Sequence, residues 1–131
     1  MFSIHSTSSD RQLEFSNLRG ELFTVVLNSS QLYVAKDIST YTDEFGLLRL
    51  FQDLAAQDRP WLAPFSWGSL EGDFKISATC TPLGVVTFQI HLIDQTGAAE
   101  MMDLSFSVSS ELGQLPRIAN AAKSFFHPVC A

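Results

Sequence analysis

Three segments between residues 74 and 108 alternate apolar and polar side chains, with every second residue apolar. The apolar residues stand at even positions, whereas Ser, Thr, Gln, Lys, His and Asp fill most odd positions. Because successive side chains of a β-strand point to opposite faces, this period indicates strands with one buried face and one solvated face. A one-residue change of register would exchange the two faces, so the pattern restricts how the strands can pair. The even-numbered apolar residues are Phe74, Ile76, Ala78 and Cys80, then Val86, Phe88, Ile90 and Leu92, then Met102, Leu104, Phe106 and Val108.

Short turn sequences separate these three strands. Thr81-Pro82-Leu83-Gly84 follows the first strand, and Asp94-Gln95-Thr96-Gly97 follows the second. Both contain residue types that favour turns. Connections this short join antiparallel neighbours, so the three segments predict an antiparallel sheet.

A different period over residues 43–57 predicts an amphipathic helix. The apolar residues there follow the i, i+4, i+7, i+8 spacing of one helix face. We expect Thr40 or Thr42 to cap this helix, and Asp43 and Glu44 to lie in its first turn, where the helix dipole favours negative charge. The apolar stripe consists of Leu47, Phe51, Leu54 and Ala55.

A second helix is predicted over residues 111–126. Pro116 requires either a helix that begins near it or an irregular first turn, because an interior proline removes a backbone hydrogen bond. The apolar stripe of this helix consists of Leu115, Ile118, Ala119, Ala122, Phe125 and Phe126.

Three earlier strands complete the predicted fold. Alternation around Leu13 and Phe15, over residues 21–28 and over residues 31–39 indicates strands before the first helix. The predicted order is therefore βββαβββα. Since the sheet and both helices are apolar on one side, we expect a two-layer α+β domain, with roughly six antiparallel strands and both helices on one face.

The chain length fits one domain over residues 1–131, with residues 1–11 and 127–131 as flexible tails. The net charge is −6, which disfavours direct binding to nucleic acid. An acidic surface could instead attract a basic protein, but mild acidity is also common in bacterial cytosolic domains simply for solubility. Cys80 and Cys130 are too few for a disulfide framework, and both could be free thiols.

The sequence shows no signal peptide and no run of apolar residues long enough to cross a membrane, so we expect a cytoplasmic protein that does not associate with membranes.

The solvated face of the predicted sheet contains one histidine. A plausible register places His91 opposite Asp103 and beside Asp73, with a Ser- and Thr-rich surface around them. Such a group could be a metal or acid–base site, but a solvated ion pair between strands is the simpler interpretation. One His and two Asp are an incomplete set of ligands for a transition metal, so we expect no metal and no cofactor.

No catalytic motif is present in the sequence. It contains no G-x-S-x-G, P-loop, H-E-x-x-H or C-x-x-C pattern, so we expect no enzyme and no catalytic residue. A weak hydrolase that uses His91 remains an open alternative. Trp61, Phe65 and Trp67 could cap the core or line a ligand pocket between the sheet and the helices.

The segment Trp67-Gly68-Ser69-Leu70-Glu71-Gly72 resembles a W-x-S-L-E-G motif of an uncharacterised bacterial family of small domain-of-unknown-function proteins. The resemblance covers about residues 20–126 and includes Phe45-Gly46-Leu47 before the motif. The chain departs from the family in its weakly charged strands and at Cys80-Thr81-Pro82. This family implies no activity and no catalytic residues.

Small acidic α+β proteins without catalytic motifs are similar, as a class, to bacterial immunity proteins. That similarity implies a non-catalytic domain that masks the active cleft of a basic toxin. The expected partner-binding residues are Trp67, Glu71, Asp73, His91 and Asp103. The alternative is a small-ligand-binding or accessory domain with a pocket near Trp61, Phe65 and Trp67. The sequence leaves the partner's identity and the oligomeric state open.

Overall fold

The computed structural model describes residues 1–96 and 100–126 and shows an α+β fold in the order ββββαββββα. The first four strands are β1 (Phe2–His5), β2 (Gln12–Arg19), β3 (Leu22–Asn28) and β4 (Tyr33–Ser39). Helix α1 (Gly46–Ala55) separates them from β5 (Phe65–Gly68), β6 (Phe74–Cys80), β7 (Val85–Thr96) and β8 (Glu100–Glu111). A 3₁₀ turn over Leu112–Gln114 leads into α2 (Leu115–Phe126).

The strands form two antiparallel sheets of four strands each. Sheet A has the order β1-β2-β3-β4, and sheet B has the order β5-β6-β7-β8. The predicted single six-stranded sheet and the order βββαβββα are therefore wrong, although the α+β class and the two helices are confirmed. The additional strands are β1, which lies in the expected N-terminal tail, and β5, which lies in the expected irregular connection. Each has only four residues, so its alternation is too short to distinguish from a loop.

The two sheets meet along β1 and β8. The backbone N–H of Thr7 donates to the carbonyl of Ser109 at 3.1 Å, and the N–H of Ser109 donates to Ser6 Oγ at 3.3 Å. The guanidinium of Arg11 also donates to the carbonyl of Ser107 at 3.2 Å. These few bonds connect the sheets without making one continuous ladder.

A single hydrophobic core fills the space between both sheets and both helices. The prediction that even-numbered side chains of β6 and β7 point inward is confirmed, since Phe74, Phe88 and Leu92 are fully buried. On β8 the inner end is buried, whereas Met102 is 37% exposed because the β7–β8 hairpin extends past the core. Helices α1 and α2 pack against each other, and the apolar faces of both are buried in this core.

Helix α1 begins later than predicted. Its first residue is Gly46, so Asp43 and Glu44 precede the helix instead of forming its first turn. Thr40 does not cap the helix, because its buried hydroxyl donates to the carbonyl of Glu21 at 3.1 Å. Thr42 instead adopts a positive φ of 70° in the connection to the helix.

Helix α2 confirms the expectation that Pro116 forces a late start. A 3₁₀ turn precedes Leu115, and Pro116 then stands in the first turn of α2, where its missing N–H has no partner to lose. Neither α1 nor α2 has the length and the apolar sequence that a membrane crossing requires. The predicted tail at 127–131, with Cys130, lies outside the described residues.

Candidate recognition surface

Sheet B has one face that the described part of the chain leaves uncovered, which we call the open face. It is formed by the odd-numbered side chains of β6, β7 and β8, while the helices pack on the even-numbered side. All of these side chains are exposed or partly exposed. The open face consists of Lys75, Ser77 and Thr79 on β6, Val85, Thr87, Gln89, His91, Ile93 and Gln95 on β7, and Met101, Asp103, Ser105, Ser107, Ser109 and Glu111 on β8.

The strand register differs from the prediction by two residues, which preserves the faces but changes the neighbours. His91 lies between Lys75 and Ser105, and Asp103 lies opposite Ile93. The prediction placed Asp94 in a turn, whereas β7 and β8 stay paired as far as Thr96 and Glu100. The longer hairpin therefore moves every pairing along the two strands.

His91 nevertheless contacts Asp103 diagonally across the two strands. His91 Nε2 is 2.5 Å from Asp103 Oδ1, and the two side chains are 42% and 50% exposed. An exposed pair of this kind contributes little to stability. Within residues 1–96 and 100–126, no group of three or more His, Cys, Asp or Glu side chains that could hold a metal ion comes together.

Asp73 does not lie beside His91, which corrects the predicted arrangement. It lines a depression of about 240 Å³ together with Lys36, Glu71, Gly72, Ile93, Asp94 and Gln95. The ammonium of Lys36 lies 2.9 Å from Asp94 Oδ1 and 3.8 Å from Asp73 Oδ2. Glu71 is exposed at the rim of this depression.

Local hydrogen bonds place the carboxylate of Asp73. The hydroxyl of Ser69 donates to Asp73 Oδ1 at 2.5 Å, and the N–H of Phe74 donates to Ser69 Oγ at 3.2 Å. Gly72 closes this turn with a φ of 75°, a conformation that favours glycine. The W-x-S-L-E-G segment therefore ends β5 at Gly68 and continues into a turn that presents Glu71 and Asp73 at the end of sheet B.

A second, shallower depression adjoins the first and shares Asp94 with it. It measures about 200 Å³ and is lined by Asp94, Glu100, Met101 and Met102. Met101 is 64% exposed. This end of sheet B therefore combines carboxylates with exposed methionine side chains, which adapt to varied partner surfaces.

The predicted anchor Trp67 lies beneath the surface. It is only 8% exposed, and its indole N–H donates to Asp43 at 3.2 Å. Trp61 is equally buried and donates to the carbonyl of Ala78 at 3.2 Å. Both rings therefore belong to the hydrophobic core.

The five predicted partner-binding residues thus divide into three places. Glu71 and Asp73 lie at the acidic depression, His91 and Asp103 lie on the open face, and Trp67 lies in the core.

The sequence interpretation missed Lys36 and Asp94. A signal for Lys36 was present, because it interrupts the apolar positions 34 and 38 on the inward face of β4.

Comparison with known families gives one match. The model of a family of unknown function (DUF6228) matches residues 4–129. No curated protein and no solved structure matches the chain. The W-x-S-L-E-G motif and the similarity to immunity proteins therefore receive no independent support from known proteins.

Proposed function

The chain belongs to the DUF6228 family, and from the geometry of its surface we propose that it is a non-catalytic, immunity-type domain that binds and neutralises a basic toxin. The open face of sheet B docks against the toxin, and the carboxylates at the end of the sheet enter its active cleft. We place this activity in the cytoplasm. The observation that supports the proposal most strongly is the uncovered open face.

The open face is suited to binding a protein because many of its side chains are short. Serine and threonine occupy six of its fifteen positions, and they lose less rotamer freedom on binding than Lys, Glu or Arg. Along most of their length its strands are backed by a buried apolar layer, so this part of the face is held in shape before a partner arrives. A pre-organised surface loses less free energy to ordering when a complex forms.

The charge distribution favours a basic partner. The two depressions and the adjoining strand ends contribute the carboxylates of Glu71, Asp73, Asp94, Glu100 and Asp103. Lys36 and Lys75 offset only part of this negative charge. Complementary charges accelerate encounter and exclude partners of the wrong sign.

The alternative of a ligand pocket near Trp61, Phe65 and Trp67 is less favoured by the geometry. The Trp61 and Phe65 rings pack edge to face at 5.5 Å, and the Trp67 and Phe74 rings lie 6.1 Å apart. Because both indole N–H groups are already bonded, a ligand there would have to displace existing contacts.

The proposal is tested by isolating the partner from the native cell and measuring its affinity with purified proteins. Ser105→Arg places a long cation on the open face, at an exposed position. We expect it to weaken binding by about a hundredfold, since a badly fitting side chain in an interface costs about 2–4 kcal/mol. The matched control is Ser124→Arg on the exposed side of α2, which should leave the affinity unchanged.

Two results would contradict the proposal. The first is a stoichiometric partner whose affinity responds equally to Ser105→Arg and Ser124→Arg, because the open face would then not be the binding surface. The second is a partner whose activity is unchanged at saturation with this chain, because binding would then not neutralise it. We also expect the affinity to fall as salt is raised from low to physiological concentration.

A further inference from the structure

Lys36 occupies an unusual position for a cation. It lies on β4, an edge strand of sheet A, and its side chain points inward, as do those of Val34 and the fully buried Ile38. Its side chain is only 21% exposed. Inward-pointing charges on edge strands are a known means by which proteins prevent unwanted pairing of the edge.

The partners of Lys36 belong to the other sheet. Asp94 lies near the end of β7, and Asp73 immediately precedes β6. The hydrogen bond to Asp94 raises the pKa of Lys36, and the negative charges of Asp94, Asp73 and Glu71 add to this effect, while desolvation opposes it. The ammonium group therefore stays charged, and Ser69 holds the Asp73 carboxylate in place.

The two junctions between the sheets are built differently. Next to β1 and β8 the sheets share a backbone hydrogen bond, from the N–H of Thr7 to the carbonyl of Ser109. At β4, within residues 1–96 and 100–126, no backbone hydrogen bond reaches sheet B, and the interstrand bonds of β4 go to β3. Each of the other salt bridges of the described chain lies within one sheet, within one connecting segment, or between α1 and the segment that precedes it.

We infer that the ion pairs of Lys36 hold the β4 edge of sheet A against sheet B, and that β4 separates locally from the core when these ion pairs break. We call this arrangement an electrostatic latch. Release of the latch exposes the layer beneath it, where the Phe23 and Phe74 rings lie 6.2 Å apart across the two sheets. Because β4 is bonded on one side only, it can separate without unfolding β2 or the helices.

Amide hydrogen exchange measured by NMR tests the latch directly. Lys36→Met keeps the aliphatic stem and removes the charge. We expect exchange of the β4 amides bonded to β3 to become about tenfold faster, which corresponds to the loss of a hydrogen bond between charged groups. Amides of β2, β6 and α2 should keep the rates of the unmodified protein.

Arg19→Met is the matched control on the same sheet. Arg19 Nη2 lies 2.7 Å from Asp37 Oδ2 on the outer side of β4, and both side chains are substantially exposed. This pair lies within sheet A, so breaking it should change β4 exchange by less than about threefold. A change as large as that of Lys36→Met would refute a specific role for the junction between sheets.

A double-variant comparison keeps the inference testable if one variant is poorly folded. Asp94→Asn alone should accelerate β4 exchange, and the Lys36→Met/Asp94→Asn double variant should be no faster than the faster single variant. Fully additive effects would show that the two residues do not act together. Uniform acceleration in all strands, or unchanged exchange in β4, would overturn the latch. Since no partner is involved, these outcomes are independent of the proposed function.

Discussion

Phe15 joins both sheets and both helices within the shared core, and Phe15→Ala should therefore destabilise the whole protein. It is fully buried on β2, and its neighbours come from both sheets and both helices. The centroid of its ring lies 4.7 Å from Phe2, 5.8 Å from Phe23, 6.1 Å from Phe51, 6.5 Å from Phe74 and 6.4 Å from Phe126.

The expected magnitude follows from burial and chain length. Truncation of a fully buried Phe to Ala costs about 3–5 kcal/mol, which combines lost transfer free energy with the cavity that remains. With an unfolding entropy of about 2.1 cal/mol/K per residue, the chain of 131 residues loses about 3.6 °C in Tm for each kcal/mol. We therefore expect Tm to fall by about 11–18 °C.

Thermal unfolding followed by circular dichroism measures this change. Phe125→Ala is the matched control, because Phe125 is only partly buried and touches Phe2 and Phe126. Its Tm should fall by about half as much or less. Phe15→Leu, which retains most of the volume, should cost about 1.5 kcal/mol and remain measurable if the alanine variant unfolds.

Equal Tm shifts for Phe15→Ala and Phe125→Ala would refute the reasoning. Two separate unfolding transitions, one for each sheet, would do so as well. Either result would mean that the two sheets do not share one core at Phe15.

Two further predictions concern the entry to α1 and the ion pairs of Lys36. Gly46→Ala should lower the free energy of unfolding in urea by about 1–3 kcal/mol, because a Cβ there would lie 2.1 Å from Asp43 Oδ2 and 2.3 Å from Trp67 Nε1. Gly113→Ala, where a Cβ meets no atom within 4 Å, should be neutral or stabilising. The pKa of Lys36 is raised in the folded state, so its stabilising contribution is complete below the ordinary Lys value of 10.5 and is lost as pH rises through the higher folded pKa. The stability difference between the unmodified protein and Lys36→Met should accordingly shrink above that pH, and a difference that stays constant up to pH 12 would contradict the assigned pairing.

The alternation of residues 74–108 determined which side chains of sheet B are buried. That inference depends only on the two-residue period of a strand, and a register error of two residues leaves it intact. For this reason the faces were predicted correctly while His91 and Asp103 were assigned the wrong opposite residues. The helical spacing of apolar residues was equally informative, because it predicted both helices. The late start of α2 followed from the missing N–H of Pro116.

The tertiary structure alone decided the number of sheets and the neighbours of the acidic residues. Two four-residue strands carry too little alternation to be recognised, yet burial of Phe2 and Trp67 against the core stabilises them. Lys36 and Asp94 are 58 residues apart in sequence, and no local pattern reports a contact between different sheets. Local periodicity determines the face on which a side chain lies, whereas the packing of the whole chain determines what that side chain meets.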